Sequence, residues 1–402
     1  MNADTIDIGR RAQLFVKAET TPGTAVYPTA TDYVSLVNGE AVLKQPRMFI
    51  EDKERRATLS KFPPFAGPYE VGSFSCPVFI KPSGTIAVVP QAACLLRGLF
   101  GKQTITPATS VVYSMAAQDT AIETFTIVYT KGYNTYWAFG SVVQKGTFPV
   151  EVGNSDTALG QGTFSGQFMR MKKAGTTKIN FVAGYTTETA VVVDDATVFQ
   201  CESKIEFQKA DLSWLNNAGA GYLVTGVVAA TNTVTFTPAI NAAIADNAVV
   251  RGFVPTATDS GYLVHGRYGL AQQKVAAVDY VDIAIAKAQI EFDNGRKIIA
   301  DEKTNTDYYL SLTNGALRSA GITIEQIVES GHMKYFYHAN AQTVFGLKIP
   351  VGNVATKRYR FEAATVNFAE PEMSGNEELR DNRKGTCYGL TAGDNELTLT
   401  FD

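Results

Sequence analysis

The chain has 402 residues with 36 basic and 39 acidic side chains, a formal charge of −3. That length exceeds the ~250 residues at which single cores stop growing, so more than one folding unit is expected. The balanced charge excludes the basic excess of a nucleic-acid-binding groove and the acidic run of a disordered tail.

At the N-terminus, MNADTIDIGRRAQ lacks the apolar core of a signal peptide, and no apolar stretch approaches the ~20 residues of a membrane span. Folding in a cytoplasm without a membrane partner is expected. From Ala18 the chain reads AETTPGTAVYPTATDYVSL. Pro22, Gly23 and Pro28 interrupt it and five threonines favour local turns, so it predicts an extended arm laid over a surface. RMFIEDKE from Arg47 leads into a mixed-charge loop, and GSFSCPVFIKP from Gly72 alternates as a strand. PQAACLLRGLFG from Pro90 predicts a helix with Ala93, Leu96, Leu99 and Phe100 on one face. ETFTIVYTKG from Glu123 and NTYWAFGSVVQ from Asn134 are again strands.

A different composition follows. GYLVTGVVAATNTVTFTPAINAAIADNAVVRGFVP predicts two strands around a Thr-Asn-Thr turn and a third ending near Pro255, a small inserted β-barrel or sandwich. The chain then repeats its opening plan. RKIIADEK from Arg296 answers RMFIEDKE, SAGITIEQIVESG answers GSFSCPVFIKPSG, and ESGHMKYFYHANAQTVFG from Glu329 predicts a second helix with Met333, Phe336 and Tyr337 on its apolar face. YRFEAATV from Tyr359 answers YWAFGSVV from Tyr136. The expected fold is mainly β (α+β): two tandem sandwich units, residues 1–175 and 276–402, each with one flanking helix, and a linker with the inserted β domain at 176–275.

Chemistry is sparse. Cys76, Cys94, Cys201 and Cys387 form no C-x-x-C pair and read as reduced, mostly buried thiols. Of three histidines, His332 and His338 are six apart, not the four of a helical zinc pair, and His265 is distant. GQGTFSG from Gly160 fits neither a dinucleotide fingerprint nor a P-loop, and Ser165 has no strand-to-helix turn to make it a nucleophile. The acid pairs Glu51/Asp52, Asp194/Asp195, Asp301/Glu302 and Glu377/Glu378 are adjacent residues, which on a strand point to opposite faces. No enzyme, cofactor or metal is predicted. Trp137 and Trp214 are too few for a glycan hydrolase's aromatic platforms, the weakest of the alternatives. An assembly module remains.

The order of QLFVKAETTPGTAVYPTATDYVSLVNG, GSFSCPVFIKPSGT, QAACLLRGLFG and TFTIVYTKGYNTYWAFGSVV resembles the tail tube proteins of long-tailed bacteriophages, with the repeat pointing to the fused-duplicate type. The resemblance implies a virion protein, made in the host cytoplasm, whose rings stack into a hollow tube that DNA crosses without specific binding. Tape measure, tail terminator and distal tail proteins are its implied partners. A capsid decoration or baseplate protein is the alternative. A barrel of about 24 strands has a backbone diameter near ~50 Å and a lumen of ~40 Å, which favours a ring of three tandem chains over six.

Particular residues follow from that reading. Glu51, Asp52, Lys53 and Arg55, with Asp301, Glu302 and Lys303, are expected at contacts between rings. Tyr27 and Tyr33 are expected to clamp the arm onto a neighbouring subunit, the alternative being a mobile terminus. A neutral to acidic bore is expected, lined from Gly72 to Lys81, Glu123 to Tyr129, Gly321 to Glu329 and Thr343 to Ile349, with Glu123, Glu325 and Glu329 facing it or at its rim. Lys81 and Lys348 are expected to turn toward a neighbouring chain.

Overall fold

The structure, a computed structural model, describes residues 12–51, 53, 63–117, 121–153, 158–275, 279–299, 311–328, 332–375, 379–389 and 395–402. It is mainly β, with two α-helices among the described residues. The first stretch carries β1 (Ala12–Ala18), β2 (Tyr33–Val34), β3 (Val42–Lys44), β4 (Arg47–Ile50), β5 (Phe65–Tyr69), β6 (Gly72–Phe79) and α1 (Ala93–Phe100). After the helix come β7 (Gly101–Thr106), β8 (Ser110–Met115), β9 (Phe125–Lys131), β10 (Asn134–Glu151), β11 (Gln161–Phe168) and β12 (Arg170–Ala174).

The middle stretch holds β13 (Thr176–Lys178), β14 (Ala190–Val192), β15 (Lys204–Gln208), β16 (Trp214–Leu215), β17 (Tyr222–Val228), β18 (Thr233–Thr237) and β19 (Val249–Gly252). The last runs through β20 (Gln272–Val275), β21 (Val281–Asp282), β22 (Ile285–Asp293), β23 (Lys297–Ile299), β24 (Ser311–Thr313), β25 (Ser319–Ile327) and α2 (Lys334–Asn340). It closes with β26 (Phe345–Val351), β27 (Tyr359–Phe368), β28 (Glu372–Ser374), β29 (Arg380–Cys387) and β30 (Thr398–Phe401).

Most pairings of the first stretch recur in the last; the hairpin β7–β8, whose β8 pairs with β30, has no counterpart among the described residues. β1 pairs with β2 and β9, β9 with β10, β10 with β11 and β12, β11 with β6, and β6 with β3. Correspondingly, β20 pairs with β21 and β26, β26 with β27, β27 with β29 and β30, β29 with β25, and β25 with β22. Both sets are antiparallel throughout. Each also has a separate two-stranded hairpin, β4–β5 and β23–β24, immediately before its β6 or β25.

The two sets are joined, not beaded. The second half of the long β10 pairs with β22 from Lys145↔Asp293 to Glu151↔Lys287. This makes one antiparallel front sheet in the order β3-β6-β11-β10-β22-β25-β29-β28. Alternation decides its faces. Phe74, Cys76 and Val78 of β6, Phe148 of β10, Ile290 and Phe292 of β22, and Ile322 and Ile324 of β25 point to one side and are buried in a single core. That core spans both sets: the Phe148 ring lies 5.6 Å from Phe164 and 5.0 Å from Phe361, and Phe100 stacks on Phe292 at 5.4 Å.

Helix α1 buries Leu95, Leu96, Leu99 and Phe100 in this core. It ends at Gly101, whose φ of 89° is a left-handed C-cap; an added Cβ there would lie 2.6 Å from Arg296 Nη2 and 2.7 Å from Ala116 Cβ. Helix α2 departs from the expected face. Met333 and Tyr337 are each 71 % exposed and Tyr335 is buried instead. Tyr335 is drawn in by His332 and Phe345, at 4.7 and 6.3 Å, and by the Arg383 guanidinium 3.9 Å from its ring. In a helix of barely two turns, one such anchor sets the rotation.

The middle stretch forms its own sheet, β13-β19-β15-β17-β18-β14 with β16 on β15, and the tight turn between β17 and β18 places Asn232 at φ 50°. Its apolar face, including Phe207, Tyr222 and Phe236, packs on Phe15, Val128, Trp137 and Phe139 of β1, β9 and β10. β9 is therefore buried on both faces.

Candidate functional site

The described residues contain no group of three His, Cys, Asp or Glu side chains able to hold a metal. Ser165 is a strand residue of β11, opposite Ser75. Asp194 and Asp195 are exposed, and Asp195 accepts from the Thr197 N–H at 2.8 Å as a cap. Glu377, Glu378, Asp301 and Glu302 lie outside the described residues. Cys76 and Cys387 are buried, and burial pushes both thiols up to about 12, which suppresses thiolate chemistry. Cys94 is half-buried and Cys201 exposed.

One buried polar cluster was not legible in the sequence. His332, Asp381, Arg383 and Gln326 are all buried. His332 Nε2 lies 2.5 Å from Asp381 Oδ2, Arg383 Nε lies 2.8 Å from the same oxygen, and Arg383 Nη2 donates to Gln326 Oε1. Burial lowers the Arg383 pKa against the opposing pull of Asp381. The cluster ties α2 to β25 and β29 and holds no nucleophile, so its effect is structural.

The open side of the front sheet is an organised polar surface. Lys145 Nζ lies 3.0 Å from Asp293 Oδ2, Lys287 Nζ 3.2 Å from Glu151 Oε1, and Arg380 pairs with Glu325. Glu291 and Lys384 add one charge of each sign, and Thr147, Thr163 and Thr323 lie between. Glu325 thus stands on this open side, neutralised by a cross-strand arginine.

Other expected lining residues do not reach this face. Glu123 pairs with Arg97 of α1 at 2.6 Å, and the strand that follows it, β9, lies behind the core, as does β26. β9, buried on both faces, cannot line a channel. Lys81 is likewise not turned outward: it is 7 % exposed and donates to Asp259, at 2.8 and 2.9 Å, and to Ser35 at 2.8 Å. Lys348 sits 4.1 Å from the Tyr280 ring. Glu329 lies outside the described residues.

The arm packs on its own chain. The buried Glu19 carboxylate accepts from the N–H groups of Gly23 and Gly140, both at 2.9 Å, and from the hydroxyls of Thr124 and Thr126 at 2.8 and 2.9 Å. Tyr27 donates to the Glu202 carbonyl at 2.8 Å, its ring lies 6.3 Å from Phe139, and Lys204 Nζ sits 4.4 Å from it. Tyr33 meets Phe15 edge-on at 5.6 Å. The anchors expected to grip a neighbour instead fasten the arm between the first unit and the inserted sheet, because Glu202 and Lys204 of that sheet supply its polar partners.

The hairpins differ in what they touch. In β23–β24, Ile298 is buried against Val142 and Met169. In β4–β5, Phe49 is 64 % exposed and Phe65 63 %. Beyond β4, Glu51 and Lys53 are exposed, while Asp52, Arg55 and Lys303 lie outside the described residues. A scan of the chain against protein-family models returned no match, and a search of curated proteins returned none.

Proposed function

We propose that this chain is a structural virion protein that assembles into stacked rings forming a hollow tail tube for the passage of DNA. The observation that carries the reading is the front sheet. Eight strands, four from each set, form one continuous surface whose inner side is core and whose open side is polar and charge-balanced. Three such chains supply about 24 strands, the number whose ~40 Å lumen admits a duplex. Because both sets contribute to one face, a ring of three is favoured over six. A wall of cross-paired charges has no lysine-rich stripe to hold the phosphate backbone through counterion release, so DNA would slide past it.

In this reading the chain is not an enzyme, needs no cofactor and works in the virion tail, with tape measure, terminator and distal tail proteins at its ends. The loops that carry Glu51, Asp52, Lys53 and Arg55 and their counterparts Asp301, Glu302 and Lys303 meet the next ring, and mixed charge there fixes register. Negative-stain microscopy of the concentrated protein tests the assignment. Hollow rings stacking into tubes support it; isolated discs or trimers without a bore would point to a decoration or baseplate protein and refute it.

A further inference from the structure

The joint inside the chain is a template for a joint between chains. Among the described residues, β3 pairs only with β6 and β28 only with β29, so the front sheet ends in two open edges. Those edges are the counterparts of the two strands that meet in the middle. Val42↔Ser75 corresponds to Gln289↔Thr323, which sets β3 on β22. Glu372↔Asn382 corresponds to Thr147↔Thr163, which sets β28 on the second half of β10. The same alignment matches buried Phe74 and Cys76 with Ile322 and Ile324, and Gly166 with Gly385.

We propose that the free edge of β28 pairs antiparallel with the free edge of β3 on a second copy of this chain, reproducing the β10–β22 joint and closing three copies into a ring. The inference rests on the tube reading and deepens it to named residues. Within the chain, Thr147 faces Glu291, Phe148 faces Ile290 and Pro149 faces Gln289. Carried to the open edges, this register puts Glu372 opposite Lys44, Met373 opposite Leu43 and Ser374 opposite Val42. An unlike charge pair falls on the open side and an apolar pair on the core side, each with the sign and character that cross-strand pairing favours.

The hairpins give a second, independent indication. Ile298 of β23 seats against Val142 and Met169 of the preceding set. The parallel of RMFIEDKE with RKIIADEK makes its counterpart Phe49 of β4, and the register that matches Gly166 with Gly385 makes that of Met169 Tyr388. Phe49 is 64 % exposed and Tyr388 50 % exposed, whereas Ile298 and Met169 are buried. Apolar side chains left bare at both ends of one chain, at positions covered in its middle, are what a head-to-tail contact between identical copies removes from water. Unpaired strand edges that bind each other also remove the aggregation hazard of leaving them open.

The test places Leu43→Cys and Met373→Cys in one full-length chain with Cys201→Ser, removing the exposed thiol. Under mild oxidation, intermolecular disulfides closing at three times the chain mass are expected, with little product from Leu43→Cys and Glu372→Cys, one residue out of register. Independently, Lys44→Glu or Glu372→Lys alone should raise the protein concentration needed for ring formation by about tenfold, and the two together should restore it. Rings by microscopy with neither crosslinks nor charge-reversal effects would overturn this joint while leaving the tube reading intact. Neither rings nor crosslinks would overturn both.

Discussion

Lys145 and Asp293 stand opposite each other where the two strand sets meet, Nζ 3.0 Å from Oδ2, in register on the open side of the front sheet. Lys145 is 64 % exposed, so water screens the pair and it stabilises the joint by under ~1 kcal/mol. The grip is on the other side, where Phe148 and Ile290 are buried with Phe361.

Phe148→Ala should therefore lower stability by about 3–5 kcal/mol, against less than ~1 kcal/mol for Lys145→Ala. Urea denaturation followed by tyrosine and tryptophan fluorescence checks both. The shared core also predicts that the two sets lose structure together in the Phe148→Ala chain. Separate transitions for them would contradict a common core.

Leu96, fully buried on α1, should not accept a charge. Leu96→Asp leaves a carboxylate without a partner and should cost several kcal/mol, enough to drive much of the chain into aggregates. A soluble variant with an unchanged melting temperature would refute the placement of the helix.

Glu19 is the arm's fastening, with four donors converging on its carboxylate. Glu19→Ala strands those donors and should cost about 2–4 kcal/mol, while Tyr27→Phe removes one hydrogen bond and should cost about 1 kcal/mol. Limited proteolysis between residues 19 and 32 should accelerate in Glu19→Ala far more than in Tyr27→Phe. Equal rates would mean that the arm is held elsewhere.

Asp259 supplies a pH dependence. Burial alone would raise its pKa, but hydrogen bonds from Lys81, Gln91 and Ser35 outweigh that and hold it below the ordinary aspartate value. A depressed folded pKa means that the contribution is present above ~3.9, the unfolded value, and is lost as pH falls through the folded one. Asp259→Asn should lower the melting temperature at pH 7, and the gap to the parent should close in acid. A gap that stays constant down to pH ~2 would show that the carboxylate is not the source.

The mainly β class and both helices were legible because period-2 runs such as Phe74, Cys76 and Val78, and a 3.6-period face such as Leu96 and Leu99, need only local spacing. The parallel between RMFIEDKE and RKIIADEK was visible for the same reason. What was not legible depends on contacts far apart in sequence. Nothing local marks β9 as covered on its second face by the inserted sheet, so the run from Glu123 to Tyr129 was expected as an exposed lining strand and is buried instead. Lys81 reads as a surface residue until Asp259, 178 positions later, meets it. The His332–Asp381–Arg383 cluster joins a helix start to a strand 49 residues on, and its rotation of α2 overrides the helix's own apolar period.

A cryo-electron microscopy cross-section of the assembled protein would show directly which face of the front sheet surrounds the bore. A three-fold ring is expected, with about 24 strands around a bore of ~40 Å, both strand sets of every chain lining it through the open side of the front sheet. A six-fold ring lined by one set per chain, or an assembly in which that face is buried with no bore, would contradict it.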